Sequence, residues 1–430
     1  MSTFRYKKLS ISINIRPYRL HLRNPFGTAH SVTTERNNAL VTIEIINDEN
    51  HTLRGYGECG LPPKKPYCYL ADFNDIQQYF SQYLQMLKER ITDDIVINDY
   101  NPFNSLPSNL FKHLRSTLDY SSDEYNQLFY FLFQCLDQCK ENEKDYSFAS
   151  RSLIEMALLD AWSKYFKQPI YKFANLPEPS LKPFYYTISL CPTMKEILDS
   201  TEFGVKYTGY LKIKLDSDVA KCKNIIDTVI NFIQNDLKKT IYKLSVDANS
   251  SWTPQVAKEY LSVLEPIKHM ISMVEQPFPI ETTKVSGNDK EIQEWREIKQ
   301  LYQDKGIPLF ADESVCTEKD LPLLVDLVHG VNVKLEKTGG FRSAVSTVLQ
   351  AQELGLKTWI GCMVASSLNV STAAHILTCL SEYGGDLDGG LLIDDETQLF
   401  ENDGFQVDDN GLIHMTQSNY GIGVTYKLNK

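Results

Sequence analysis

The sequence predicts an α/β fold in which a closed parallel barrel follows a smaller region of antiparallel strands and helices. Three observations carry that prediction. Residues 1–60 alternate apolar and polar side chains, as half-buried antiparallel strands do. From Tyr67 to about Lys144 the pattern turns helical, rich in Tyr, Phe and Leu and poor in Gly. After Pro183, short β-branched runs alternate with amphipathic helices at roughly one unit per thirty residues, the pattern of a parallel α/β fold.

The length of 430 residues suits one barrel, commonly about 250 residues, plus a second domain. A content of 42% hydrophobic and 11% aromatic residues supports a large core and excludes global disorder. The formal charge of −11, without a basic cluster, argues against a nucleic-acid partner. Nine cysteines stand singly with no CxxC, so neither a disulfide framework nor a zinc ribbon is expected. The opening MSTFRYKK lacks the apolar stretch of a signal peptide, and the run around Leu128–Leu136 is too short to cross a bilayer. A cytoplasmic protein with no membrane partner is therefore expected.

In chain order, the alternating runs are Ser10–Ile15, Leu40–Ile45 and Leu53–Glu58. Gly55 and Gly57 in the third mark a bend or a close approach of other backbone. The intervening Asn24–Asn38 reads as a long loop of the kind that often carries function. A helix is predicted over Ser150–Phe166, with Leu153, Ile154, Ala157, Leu158 and Ala161 on one stripe, ending before Pro169. Barrel strands are predicted at Tyr185–Leu190, Leu211–Leu215, Lys243–Ala248, Met273–Gln276, Leu309–Glu313, Val331–Leu335 and Thr358–Cys362. Helices such as Val219–Leu237, Gln255–His269, Phe341–Leu354 and Val370–Tyr383 lie between them.

Charged and amide groups end these strands, where a barrel carries its chemistry. They are Lys212 and Lys214, Asp247 and Asn249, Glu275, Asp312 and Glu313, then Lys334 and Lys337. Such groups are costly to bury unless paired or bound to metal. Asp247, Glu275 and Asp312 close three successive strands, and neighbouring strands lie about 4.8 Å apart. Three carboxylates with no His or Cys nearby suit a hard cation, Mg²⁺ before Zn²⁺. The alternative is that they only pair with the lysines. Lys212 and Lys214, two apart on a strand, face the same way. Two adjacent ammonium groups and a cation are expected to lower a lysine toward neutral pH, where it can serve as a base. Asn249, Glu313 and Lys337 are expected to stand just outside the ion and hold its ligands in place.

KIK, DANxxW, EQP, ADES, VNVKLxKxGG, GCM and DLDG occur here in one order. In that order they resemble the muconate-lactonizing-enzyme subgroup of the enolase superfamily, most closely its dipeptide epimerases of the Ala-D/L-Glu type. The resemblance covers roughly Tyr185 to Ile393, the N-terminal strands, Ser152–Tyr171 and the final GIGV. It implies a (β/α)7β TIM-like barrel over residues 151–395 under an α+β capping domain. Residues 1–150 would form the cap, enlarged by a helical segment at about 67–144, and 396–430 would return to it. It assigns Mg²⁺ to Asp247, Glu275 and Asp312, the acid/base pair to Lys214 and Lys334, and the substrate carboxylate to Lys212. Asp386 and Asp388 would bind the free ammonium of a dipeptide whose C-terminal residue is inverted.

The chain also departs from the family pattern. Segment 67–144 is longer than usual, and is expected to cover the site, to build a contact in a homo-oligomer or to be a surface insertion without a catalytic role. GCMVAS places Ala365 where relatives carry a polar residue. The Ala-Glu enzymes place an arginine in the loop PFGTAHSVTTER; here His30 occupies the region, with Arg36 further on, so another dipeptide is expected. His30 and Arg36 are expected to contact the substrate, the alternative for His30 being a hydrogen-bonded loop residue. A cycloisomerase or a succinylbenzoate-forming lyase would share the lysines and acids without needing Asp386 and Asp388. A sugar-acid dehydratase would need a histidine at a strand end, and none is predicted there. A binding protein on a catalytically inactive barrel is the reading from outside enzymology.

Overall fold

The computed structural model describes residues 2–64, 71–92, 95, 100–115, 123–139, 147–280, 289–416 and 420–427. Strands β1 (Ser2–Tyr6), β2 (Leu9–Gly27), β3 (Val32–Ile46) and β4 (Thr52–Cys59) pair antiparallel in that order. Their alternation buries Ile11, Ile13, Val41, Ile43 and Ile45 on one face. The helix Ser147–Tyr165 lies against this sheet so closely that a Cβ on Gly55 or Gly57 would meet the carbonyl oxygen of Ala157 or Leu153 at 2.1 and 2.0 Å. That is the close approach the two glycines predict. The same helix runs through the expected boundary between residues 150 and 151.

The expected loop Asn24–Asn38 is instead mostly strand. β2 and β3 stay paired beyond an irregularity between His21 and Phe26, through Phe26–Thr33 and Gly27–Val32, so only residues 28–31 turn. Pro25 and the polar Arg23–Asn24 interrupt the alternation and hide the continuation from pattern reading. The hairpin tip reaches the barrel, where Leu190 N–H donates to the Gly27 carbonyl at 3.1 Å.

Within the enlarged segment, Asp72 caps the helix Phe73–Arg90 and Asp123 caps Glu124–Gln138. Positions 67–70, 93, 94, 96–99, 116–122 and 140–144 of that expectation lie outside the described residues. Phe129 stacks on Trp162, and the Trp162 indole donates to Asn126 at 2.9 Å. Asp137 receives both terminal nitrogens of Arg342, a barrel-helix residue, at 2.9 and 2.8 Å. The segment is thus tied to the flank of the barrel.

A two-residue strand, β5 (Lys182–Pro183), precedes the barrel strands β6 (Tyr185–Ile188), β7 (Tyr210–Lys214), β8 (Lys243–Asp247), β9 (Ile271–Glu275), β10 (Leu309–Ala311), β11 (Gly330–Val333), β12 (Lys357–Gly361) and β13 (Gly385–Asp386). These eight pair in parallel in chain order, with helices in the seven intervals between them, and a parallel bridge from Phe184 to Gly385 closes the ring. Tyr185, Met273, Phe310 and Trp359 form an apolar cluster inside it. By strand alternation Met273 and Phe310 lie one layer below Glu275 and Asp312. Near the C-terminus, β14 (Phe405–Val407) pairs with β15 (Leu412–Met415), which pairs in turn with β5. The same segment meets the cap, where Tyr426 stacks on Tyr56 and Leu399 N–H donates to the Tyr18 hydroxyl. No helix among the described residues is long and apolar enough to cross a membrane.

Candidate active site

Register places the chemistry. Lys214 pairs with Asp247 across β7 and β8, and Asp247 with Glu275 across β8 and β9, so three charged side chains form one row at the strand ends. Asp312 follows β10 and Lys334 follows β11, the strand four removed from β7 in a ring of eight. All five are at least nine-tenths buried, as is Lys212. Burial at this level demands counter-charge. Lys212 Nζ lies 2.7 Å from Glu275, 2.9 Å from Asp386 and 3.2 Å from Asp247. Lys214 Nζ donates to Asp247 at 2.7 Å and to the Asn249 side-chain oxygen at 2.9 Å. At the other end of the row, Lys334 Nζ donates to Asp312 Oδ2 at 2.8 Å and Lys337 Nζ to Asp312 Oδ1 at 2.5 Å.

These partners reverse one expectation. Burial alone would lower Lys212 and Lys334, but Asp247, Asp386 and Glu275 hold Lys212 well above the usual lysine range, and Asp312 does the same for Lys334. The nearby acids outweigh the like-charge repulsion that the spacing of Lys212 and Lys214 suggests. Burial also raises Asp247 and Asp312, yet their lysines keep both below the ordinary carboxylate range. Glu275 goes the other way. Burial pushes it up to about 8, with Asp247 and Asp312 adding to the rise against the pull of Lys212.

Glu275 Oε2 makes no hydrogen bond although Lys212 stands beside it. An all-carboxylate set on adjacent strand ends suits a hard divalent cation. As they stand, no three His, Cys, Asp or Glu side chains among the described residues enclose an ion site, because lysines occupy the space between the acids. The donor set fits Mg²⁺, provided that the ammonium groups draw back.

A cavity of about 490 Å³ lies over this row, and both Lys214 and Lys334 line it. The hairpin covers one side with Phe26, His30 and Arg36, and Cys362–Val364 form another wall. His30 Nε2 shares a hydrogen bond with the Asn249 carbonyl at 2.8 Å, which latches the hairpin tip to the end of β8. Asn249 also donates to Asp247 and to Glu313 Oε1, and Lys337 additionally donates to the Asn332 carbonyl at 3.0 Å. No described residue between 71 and 139 lines this cavity, so the enlarged segment does not cover it there.

Asp386 and Asp388 stand apart from the cavity lining. The two oxygens of Asp386 take Lys212 and, at 2.5 Å, the Trp359 indole; Asp388 accepts the Thr187 N–H at 2.6 Å. Burial, with Asp386 beside it, pushes Asp388 up to about 7. Both belong to the same buried network as Lys212, and neither faces the space above the lysines.

Three residues of this network escape pattern reading. Asn332 donates to Glu275 Oε1 at 2.8 Å. Gln276, in the left-handed region at φ 37°, accepts from the Asp312 and Ser314 N–H groups and donates to the Phe278 carbonyl and Ser314 hydroxyl. It thereby ties the end of β9 to that of β10. Trp359 orients Asp386. An amide inside the apolar run Val331–Val333, and one following Glu275, are the signals that point to the first two.

The family described as Enolase C-terminal domain-like matches residues 201–430. An enolase superfamily member of Dictyostelium discoideum is 60% identical over 440 aligned residues, covering 99% of each chain. An L-Ala-D/L-amino acid epimerase of Pedosphaera parvula is 33% identical, over 59% of this chain and 66% of that one. Among solved structures, a dipeptide epimerase of Cytophaga hutchinsonii complexed with Mg and the dipeptide D-Ala-L-Val shares the fold. Its TM-score is 0.67 at 21% identity, covering 97% of this chain and 96% of that one.

Proposed function

Since the chain belongs to the enolase superfamily, with the TIM-like barrel and cap of its relatives, we propose that it is a Mg²⁺-dependent dipeptide epimerase inverting the α-carbon of the C-terminal residue. One observation carries the reading. Two ammonium groups stand at opposite ends of a row of buried acids, on strands across the ring from each other, and both line one cavity. A carbon held between them has a proton acceptor on one face and a donor on the other.

Asp247, Glu275 and Asp312 would hold the cation, and the relative crystallised with Mg and a dipeptide supports that choice of ion. Bound there, Mg²⁺ would supply positive charge to the substrate carboxylate and would compete with Lys214 and Lys334 for their acids, so that one of these amines could act as a base. Lys212 orients the carboxylate. The Nζ of one of the other two lysines takes the α-proton, and the Nζ of the opposite one delivers a proton to the far face. Returning a proton from the same side would restore the original configuration, so inversion needs both.

A second reading is favoured by Asp386. Its oxygens are already engaged by Lys212 and Trp359, so a substrate ammonium would have to compete with them for Asp386. An N-acylated amino acid carries no ammonium and would need none. Incubating the Mg²⁺-loaded protein in D₂O with a dipeptide library and matched N-acyl amino acids, read by mass spectrometry, tests both. Deuterium at the α-carbon together with the inverted diastereomer is the expected result for dipeptides. Exchange confined to N-acyl substrates selects the second reading, and exchange with neither contradicts both.

A further inference from the structure

The ring of strands is wrapped less completely at one place. Each interval between barrel strands carries a helix, but after β13 the chain forms only the four-residue helix Gly389–Leu392 before β14. A pocket of about 320 Å³ opens there, between the first turn of the helix Ser367–Leu380, the residues that follow β13, and β14. It shares no lining residue with the cavity over the lysines. Tyr207, Asn402 and Gln406 are exposed and mark its mouth, whereas Phe184, Ser367 and Leu387 are buried and form its floor. Protein interiors leave few voids larger than a water molecule, and a space of this size matches the smaller sites for organic ligands.

The lining narrows what could fill it. No Asp, Glu, Lys, Arg or His among the described residues borders the pocket, so an ionised group would be taken in without a counter-charge. The Phe184 and Phe405 rings stand 6.2 Å apart between centres at an angle of 49°, and an aromatic lining of this kind suits a ring. One polar atom at the floor is unprovided for. Ser367 is 1% exposed, and its hydroxyl has no hydrogen-bond partner among the described residues. A buried hydroxyl left unpaired is costly, and a ligand group that meets it removes the cost. A Cβ on Gly390 would meet the Ser367 nitrogen at 3.5 Å and the Asn402 side-chain oxygen at 2.9 Å, so glycine keeps the space beside Ser367 open.

We propose that this pocket is a second ligand site, for an uncharged aromatic molecule whose single hydroxyl or amide group pairs with the Ser367 hydroxyl. The pocket holds no acid, base or cation, so its ligand is bound and not transformed. A dipeptide carries two charges and does not suit it, which makes the ligand a different molecule from the substrate. The assignment stands apart from the epimerase reading.

The test titrates the full chain with four probes of one shape, 2-phenylethanol, ethylbenzene, phenylacetate and 2-phenylethylammonium, read by calorimetry and by saturation-transfer NMR. The alcohol is expected to bind at least about tenfold more tightly than either ion. Ser367→Ala should cut its advantage over ethylbenzene about fivefold. Val370→Trp and Val407→Trp fill the pocket from two different elements, and whichever of them keeps the native unfolding temperature should lose binding of the alcohol. Met363→Trp narrows the cavity over the lysines instead and should leave that binding intact. Failure of the alcohol to bind, equal binding of an ion, or survival of binding in a folded pocket-filling variant would each overturn the assignment. Loss of binding in a folded Met363→Trp variant, or an unchanged alcohol-to-hydrocarbon ratio in Ser367→Ala, would do the same.

Discussion

The two sides of the cavity are built on opposite electrostatic terms. On the barrel side, every buried charge in the row from Lys214 to Lys337 leans on a neighbour of opposite sign, and Gln276 and Asn332 fix the acids further. On the cap side, Arg36 is buried with no counter-charge among the described residues, and Glu58 is buried with only neutral donors, Asn38 and Ser366, on its oxygens. The rim's charges are thus paired within the protein, and these two cap charges are not. Machinery that moves a proton works best when its groups are fixed before the substrate binds. A surface that selects a substrate gains instead from groups only the right substrate satisfies.

The largest effect should come from the rim. Lys214→Ala and Lys334→Ala are each expected to reduce epimerisation about a thousandfold, measured as appearance of the inverted diastereomer. Asp312→Ala removes the shared partner of Lys334 and Lys337 and should lower unfolding free energy by about 3–5 kcal/mol in urea titrations. A loss below about 1 kcal/mol would mean that the rim does not depend on internal pairing. Gln276→Leu strands the Asp312 and Ser314 N–H groups, with an expected cost of about 2–3 kcal/mol.

On the cap side the signs differ. Burial raises Glu58 to about 7 from an ordinary 4.5. The folded state therefore holds a proton that the unfolded chain releases. This favours folding at low pH, and the contribution is lost as pH rises through 7. Asp247 and Asp312, held below their ordinary range, contribute at neutral pH and lose it only in acid. Glu58→Gln is thus expected to flatten the fall in stability between pH 5 and 8 by about 2 kcal/mol, read from urea midpoints. The smallest effect should carry the opposite sign to Asp312→Ala. Arg36→Met removes an uncompensated cation and should raise stability by about 1 kcal/mol.

The same contrast governs how much of the molecule is legible in its sequence. Barrel strands fall within two residues or so of their expected ends because each is an apolar run closed by a charge, as LKIK and LSVD are. The row from Lys214 through Asp247 to Glu275 follows from those endings and parallel pairing. The eighth strand, Gly385–Asp386, is too short to produce any periodicity. The break at Pro25 hides the hairpin, and with it the inward turn of Arg36. The engagement of Asp386 by Lys212 and Trp359 depends on contacts across the ring, between residues 174 and 27 positions apart in sequence. Local patterns record which face a residue occupies and not which distant partner meets it there. Lys212 is raised, where its spacing from Lys214 alone suggests a lowered lysine, for that reason.

The central claim is that Lys214 and Lys334 serve opposite faces of one carbon. Its most direct test gives each alanine variant the two diastereomers of an accepted substrate separately, in D₂O with Mg²⁺. Lys214→Ala should exchange the α-hydrogen of one diastereomer and Lys334→Ala that of the other, neither giving inversion. Exchange of the same diastereomer by both variants, or full inversion by either, would contradict the account.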